Sequence, residues 1–329
     1  MGDFTKPDEA RKVIAQNLFK ELSKSHEVAP FDTGSIASFE AWRRVRSFAP
    51  EVLCYVPGAS NISFAITKVM KMWSHKPRTV MFSALNAFQG ASHGLYYVAS
   101  SLTKDFTRFI KTDLVLVQSR AAEEAFSDLG CRVQFFVCSG VDVQKFRPVS
   151  EKIKGTLREA HSIDDGAFVV LHVGSIRRWR NVDLLKSLQK NEDVQVVLVG
   201  RPSQKNELAL KLRRSGIKTI CNYDSKIDEI YALSDCYVFP TVDPLGSIDV
   251  PLSVLEAMAT DLPVISTRFG GLPGIFKEGN GLVYSDSDHF EGKVQEIKDG
   301  PTNVSTRDKV MPYSWQNIAG GLQEIFEKL

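Results

Sequence analysis

Short, unbroken apolar runs alternate with longer segments of helical periodicity along most of this chain, most regularly in its second half. Phe168–Val173, Val194–Val199, Lys218–Cys221, Cys236–Phe239, Val264–Ser266 and Leu282–Tyr284 read as strands. Between them Val182–Lys190, Glu207–Ser215, Ile227–Leu233, Ser253–Ala259 and Asp288–Ile297 carry apolar residues at helical spacing. Strands that are apolar throughout, rather than at alternate positions, belong to a parallel sheet covered on both faces. The first half follows the same plan more loosely. A helix over Lys6–Ser25, with Val13, Ile14, Leu18 and Leu22 on one face, precedes strands at Glu27–Ala29, Val52–Val56, Thr79–Phe82, Leu114–Gln118 and Gln134–Val137. Gly140-Val141-Asp142 and Phe146-Arg147-Pro148 break the pattern, and the charged stretch Val149–Ile163 reads as a link. Two such blocks in tandem predict an α/β protein with two Rossmann-like domains facing across a cleft. The first would span residues 1–148 and the second residues 149–311, with a final helix in residues 312–329.

Composition narrows the functional classes. With 329 residues, 43% of them hydrophobic, the chain is long and apolar enough for two cores. A net charge of +2 gives no reason to expect a nucleic-acid partner. Up to Pro148 there are 19 Lys and Arg against 14 Asp and Glu, leaving 22 against 25 beyond it. A mildly basic first half suits an anionic acceptor or a membrane surface, and equally suits ordinary surface variation. Arg43, Arg44 and Arg46, interleaved with Trp42 and Phe48, read either as a solvated helix face or as a contact for a lipid-linked acceptor or membrane. Five scattered cysteines with no C-x-x-C pair indicate neither a zinc site nor a disulfide framework. With a polar N-terminus and no apolar run near the ~20 residues of a membrane span, a cytoplasmic location is expected, with peripheral contact at the inner membrane face as an extension.

The chemistry concentrates in Thr241–Pro273 and its flanks. A loop containing Asp243, Gly246 and Asp249 follows the Cys236–Phe239 strand and leads into a helix bearing Glu256; Gly270-Gly271 opens the loop after the next strand. N–H groups at a helix start attract a diphosphate, and a carboxylate on that helix can accept ribose hydroxyl hydrogen bonds. An α/β helix with a solvated glutamate fits the same spacing.

Several segments, in order, resemble glycosyltransferase family 4 (glycosyl transferases group 1), the retaining sugar-nucleotide transferases of GT-B fold. They are Thr112–Ser119, Gly140-Val141-Asp142 with Phe146-Arg147-Pro148, His172–Asp183, Val196–Gly200, Ile230–Pro240, Leu255–Ala259, Leu262–Thr267 and Tyr313-Ser314-Trp315. The resemblance implies metal-independent hexosyl transfer from a UDP- or GDP-sugar to a glycan or lipid-linked acceptor, with no other cofactor. It makes residues 1–148 the acceptor side and 149–311 the donor side, and has the final helix cross back to the first domain. It assigns Glu256 to the ribose, Arg180 to the diphosphate, and Gly174, Ser175, Arg177, Arg178, Ser253, Gly270 and Gly271 to the donor site. Arg180, Asp249 and Glu256 are thereby the expected catalytic set.

The chain also departs from that family. The first of the family's two glutamates falls on Ile248, so Asp249 would take its place at a donor-sugar hydroxyl or else only cap the helix. Ser175 stands where the family has Arg, with Arg177 and Arg178 close enough to compensate. Gly274 stands where the family has a carboxylate. The family's acceptor-side His is replaced by Leu85 or Asn86, leaving His93 as a distant substitute. Gly2–Thr5 would be the remnant of a glycine-rich loop whose preceding first strand is missing. These departures leave a second expectation open, a non-catalytic nucleotide-sugar-binding or partner subunit.

Overall fold

The computed structural model describes residues 1, 10–59, 61–83, 109–200, 207–221, 226–300 and 303–329. The chain divides into two compact units. Unit 1 comprises Met1–Gly140, Ile248–Val250 and Trp315–Leu329; unit 2 comprises Val141–Ser247 and Pro251–Ser314.

Unit 1 holds a four-stranded parallel sheet of β1 (Val52–Tyr55), β2 (Arg78–Ser83), β3 (Leu114–Val117) and β4 (Val133–Phe135), paired in that order. Cys54 lies opposite Val80, Met81 opposite Val115 and Val117 opposite Phe135. Two apolar clusters pack with the sheet. One gathers Phe64, Met81, Val115, Val117 and Phe126; the other Phe31, Val45, Leu53 and Met70. The Trp315–Glu327 helix packs along the Ala10–Leu22 helix. Gly140 passes against Trp315, where a Cβ would come within 2.6 Å of the indole, so only glycine fits. Among the described residues β1 is an edge strand, and Met1 lies against it. Its ammonium donates to the Cys54 carbonyl, and its carbonyl accepts from the Val56 N–H at 3.0 Å.

Unit 2 holds a six-stranded parallel sheet of β5 (Phe168–Val173), β6 (Val194–Val199), β7 (Lys218–Ile220), β8 (Cys236–Phe239), β9 (Val264–Ser266) and β10 (Leu282–Tyr284). The order is β10-β9-β8-β5-β6-β7. From β5 the chain winds outward through β6 and β7, then returns to place β8 on the other side of β5. The gap between β5 and β8 is the topological switch point, where the following loops diverge and ligands of open α/β sheets bind. Strands and helices share a core that includes Val170, Val196, Leu198, Val238 and Phe290.

Three expectations need correction. Glu27–Ala29 forms no strand: Glu27, Ala29 and Pro30 are exposed, and one half-buried Val28 gives no apolar face to hold against a sheet. The strand expected at Gln134–Val137 begins one residue earlier and ends at Phe135; the Phe136 N–H still donates to the Val117 carbonyl at 2.8 Å, and the chain then leaves the sheet. Val149–Ile163 is a packed element rather than a link. It contains the Glu151–Ala160 helix, in which buried Arg158 donates to the Leu233 and Asp165 carbonyls and to Asp235 at 2.6 Å, where Lys154 also binds. A guanidinium that satisfies three acceptors can be buried at low cost. Gly2–Thr5, Leu85, Asn86 and His93 lie outside the described residues.

Candidate functional site

The carboxyl ends of β5, β8 and β9 lie side by side in unit 2, and most of the expected donor-site residues follow them. After β5 comes Gly174, whose N–H extends the ladder to the Val199 carbonyl at 2.8 Å. A Cβ here would overlap the Arg180 guanidinium, which folds back over Gly174. At the end of β6, a Cβ on Gly200 would run into the Gly174 carbonyl oxygen. These two glycines let the chain and the guanidinium approach closely. Ser175 is half-buried; Arg177 and Arg178 are exposed, and the Arg177 guanidinium sits 5.3 Å from the Trp179 ring centroid. The Arg178–Arg180 turn ends at Asn181, in the left-handed region at φ 55°, where Asn is tolerated.

Beneath this loop lies His172, a fully buried polar residue inside an apolar strand. Its Nδ1 donates to the Val238 carbonyl at 2.9 Å, and its ring lies between Tyr237 and Phe239. Burial pushes its pKa down to about 4, and the Arg180 charge adds to the shift. The imidazole is therefore neutral near pH 7, its Nδ1–H tautomer set by the carbonyl.

The Leu252–Ala259 helix follows β8 and begins at Pro251 with no side-chain cap. Glu256 is half-buried, and its Oε2 accepts from the Tyr231 hydroxyl at 2.8 Å. The Tyr231 oxygen also lies 3.2 Å from the Ser253 carbonyl, and the Tyr237 hydroxyl lies 2.8 Å from Ser253 Oγ. Burial raises the Glu256 pKa, opposed by the Tyr231 hydrogen bond and the charge of Lys145. Tyr237 is within electrostatic reach of both Arg180 and Glu256, which ties the two halves of the cluster together. After β9, Gly270 takes a left-handed φ of 54° and Gly271 starts the Leu272–Ile275 turn of helix.

Asp249 is placed differently. It belongs with unit 1, is 1% exposed, and its Oδ2 accepts from the Ser119 hydroxyl at 2.9 Å. Ser119 Oγ also accepts from the Ala122 N–H and so caps the Arg120–Asp128 helix. Burial pushes the Asp249 carboxyl up to about 6, with the Ser119 bond opposing. Thus Gly174 and Arg180 pack directly together, and Ser253 and Glu256 share the Tyr231 hydroxyl, while Asp249 pairs with Ser119, the cap of the helix after β3. Sequence reading passed over His172, Tyr231 and Tyr237. A histidine within Phe168–Val173 was a usable signal; nothing along the chain links Tyr231 to a glutamate 25 residues away. Among the described residues, no group of three or more His, Cys, Asp and Glu side chains is arranged to hold a metal ion.

This geometry meets its relatives here. Residues 153–314 match the family model for glycosyl transferases group 1, so this part of the chain carries a domain of that family. The D-inositol 3-phosphate glycosyltransferase of Corynebacterium urealyticum is 26% identical over 249 residues, 66% of this chain and 57% of that protein. Glycosyltransferase MJ1059 of Methanocaldococcus jannaschii, described as uncharacterized, is 22% identical over 92% of this chain and 74% of its own length. Against the first curated relatives, the chain spans only 57% and 58% of their length. Among solved structures, Anabaena HepE in complex with UDP-glucose aligns at a TM-score of 0.73 and 15% identity, over 99% of this chain and 98% of that one. The two parallel α/β units therefore have the fold of GT-B glycosyltransferase structures.

Proposed function

We propose that the chain is a glycosyltransferase of the hexosyltransferase type, moving a sugar from a nucleoside diphosphate, UDP or GDP, to an acceptor hydroxyl on a glycan or lipid-linked molecule. The observation that carries this reading is the switch point of unit 2, where the Arg180 loop leaves β5 and the Glu256 helix follows β8. The names of the relatives and the UDP-glucose held by HepE support a nucleotide-sugar donor.

In this reading the acceptor oxygen bonds to the anomeric carbon as the bond to the diphosphate oxygen breaks, and the hydroxyl proton leaves with the diphosphate. The family resemblance supports retention of configuration. Negative charge grows on the departing diphosphate, so the protein's task is electrostatic. Arg180, with Arg177 and Arg178, supplies guanidinium charge, and the first N–H groups of the Leu252–Ala259 helix supply a positive dipole end. Ser253 belongs to that helix start. Gly174, Ser175, Gly270 and Gly271 bring backbone close to the ligand. Glu256, held by Tyr231, accepts the ribose hydroxyls. Asp249, taken up by Ser119, enters as a positioning residue for Ile248–Val250.

Incubation with a panel of UDP- and GDP-sugars, with and without glycan and lipid-linked acceptors, tests this by mass spectrometry of the products. Transfer, or slow donor hydrolysis, is expected. Donor binding without either would favour a non-catalytic nucleotide-sugar-binding subunit, a reading supported by Ile248 and Ser175 standing where the family carries charge.

A further inference from the structure

The Asn61–Trp73 helix of unit 1 is apolar on two sides, with Phe64 and Met70 fully buried on one of them. Ser63, Thr67 and the following Ser74 are buried, and each hydroxyl donates to a backbone carbonyl, those of Gly58, Ser63 and Met70. Buried hydroxyls that find such partners cost little. The opposite face turns Ile62 (73% exposed), Val69 (55%) and Met72 (71%) to solvent, at positions i, i+7 and i+10 of one stripe. Half-buried Ala65 and Ile66 fill the stripe between them.

The neighbouring Phe39–Phe48 helix prolongs this face. Phe39 is 62% exposed, and its ring meets that of Trp73 edge-on at 6.1 Å. Exposed guanidinium groups rim the rings, Arg43 over Phe39 at 5.1 Å and Arg46 over Trp73 at 5.2 Å, with Arg44 exposed on the same helix. The two helices carry five basic residues against Glu40 alone; one of the five, Lys71, is bound to Asp113. A contiguous exposed apolar stripe marks a surface for something else, and a basic rim selects a negatively charged partner. Cation–π contacts keep the arginines beside the apolar groups, so both would meet the same surface.

We propose that this face of unit 1 docks on an anionic lipid bilayer, with Ile62, Val69, Met72 and Phe39 entering the headgroup boundary and Arg43, Arg44 and Arg46 meeting lipid phosphates. A bilayer fits this face because its acyl region takes apolar side chains without shape matching while its charged headgroups take the arginines. The proposal stands independently of the sugar-transfer reading: a protein that transfers no sugar would still sediment with vesicles.

The test is co-sedimentation of the full chain with phosphatidylcholine vesicles, with and without phosphatidylglycerol. Binding is expected only to the anionic vesicles, and added salt should weaken it. The pair Val69→Asp and Met72→Asp, and separately the pair Arg43→Glu and Arg46→Glu, should each lower binding by about tenfold or more. All four sites are exposed, and an unchanged melting temperature would show the variants folded. Absence of binding to anionic vesicles, equal binding to both vesicle types, or full binding by folded variants would overturn the proposal. So would a dimer in sedimentation velocity that the Val69→Asp, Met72→Asp variant dissolves, since the face would then belong to a second copy.

Discussion

Two helices of this chain are built mainly from apolar residues, and they are covered to different extents. Leu252–Ala259, in unit 2, buries Leu252, Val254, Leu255, Ala257, Met258 and Ala259, leaving Ser253 and Glu256 partly open where the site lies. Asn61–Trp73, in unit 1, buries Phe64 and Met70 together with Ser63 and Thr67, and turns Ile62, Val69 and Met72 outward. A helix that is apolar on every side is normally buried. The first obeys because the sheet and neighbouring helices surround it. The second shows that composition states how much apolar surface a helix has, and only its surroundings state which part is covered.

The largest expected effect tests the covered helix. Val254→Asp would place a carboxylate with no partner in a fully buried position and should cost about 4 kcal/mol or more, or prevent folding. Val69→Asp should change stability by no more than about 0.5 kcal/mol. Chemical denaturation of both variants checks the contrast; equal losses would break it.

Gly200→Ala comes next. Its Cβ would overlap the Gly174 backbone oxygen, which cannot swing aside as a side chain can, so a loss of about 3 kcal/mol is expected by denaturant titration. Gly174→Ala meets side chains rather than backbone, first the movable end of Arg180 and then His172 Nε2 at 3.3 Å, with a smaller loss of stability and a larger one of nucleotide affinity.

A third prediction concerns pH. Burial raises the Asp249 carboxyl from its ordinary 3.8 to about 6, so the folded chain binds more protons than the unfolded one between those values. Its contribution therefore falls as pH rises through that window and stays unfavourable at neutral pH. Asp249→Asn keeps an acceptor for Ser119 and removes the charge. It should raise stability by roughly 1–2 kcal/mol at pH 7 and by little below pH 4. His172, lowered from 6.5 to about 4, acts with the opposite sign: stability is gained as pH rises from 4 toward 6.5. Melting temperatures of wild type and Asp249→Asn across this range separate the two groups.

Unit 2 was the more legible of the two in the sequence. Phe168–Val173, Val194–Val199, Cys236–Phe239, Val264–Ser266 and Leu282–Tyr284 were each bounded to the residue, because these parallel strands are mostly apolar and stop at Gly174, Gly200, Pro240, Thr267 and Ser285. In unit 1 the pattern is looser, and Val28 alone sufficed to suggest a strand where none forms. The proximity of Gly174 and Arg180 was implied by a local motif. The bonds from Tyr231 to Glu256 and from Ser119 to Asp249 join residues 25 and 130 positions apart, and no local pattern encodes such contacts. The outward stripe of the Asn61–Trp73 helix was hidden for another reason. With apolar residues on both sides, periodicity does not tell the inner face from the outer.

The central claim is that a nucleoside diphosphate sits at the carboxyl ends of β5 and β8, between the Arg180 guanidinium and the Glu256 helix. Isothermal titration calorimetry of UDP and GDP into wild type, Arg180→Ala and Glu256→Ala tests it most directly. The account predicts that wild type binds at least one of the two and that each substitution weakens that binding by roughly 1–3 kcal/mol, the cost of losing charged hydrogen bonds. Affinity unchanged in both folded variants would contradict it.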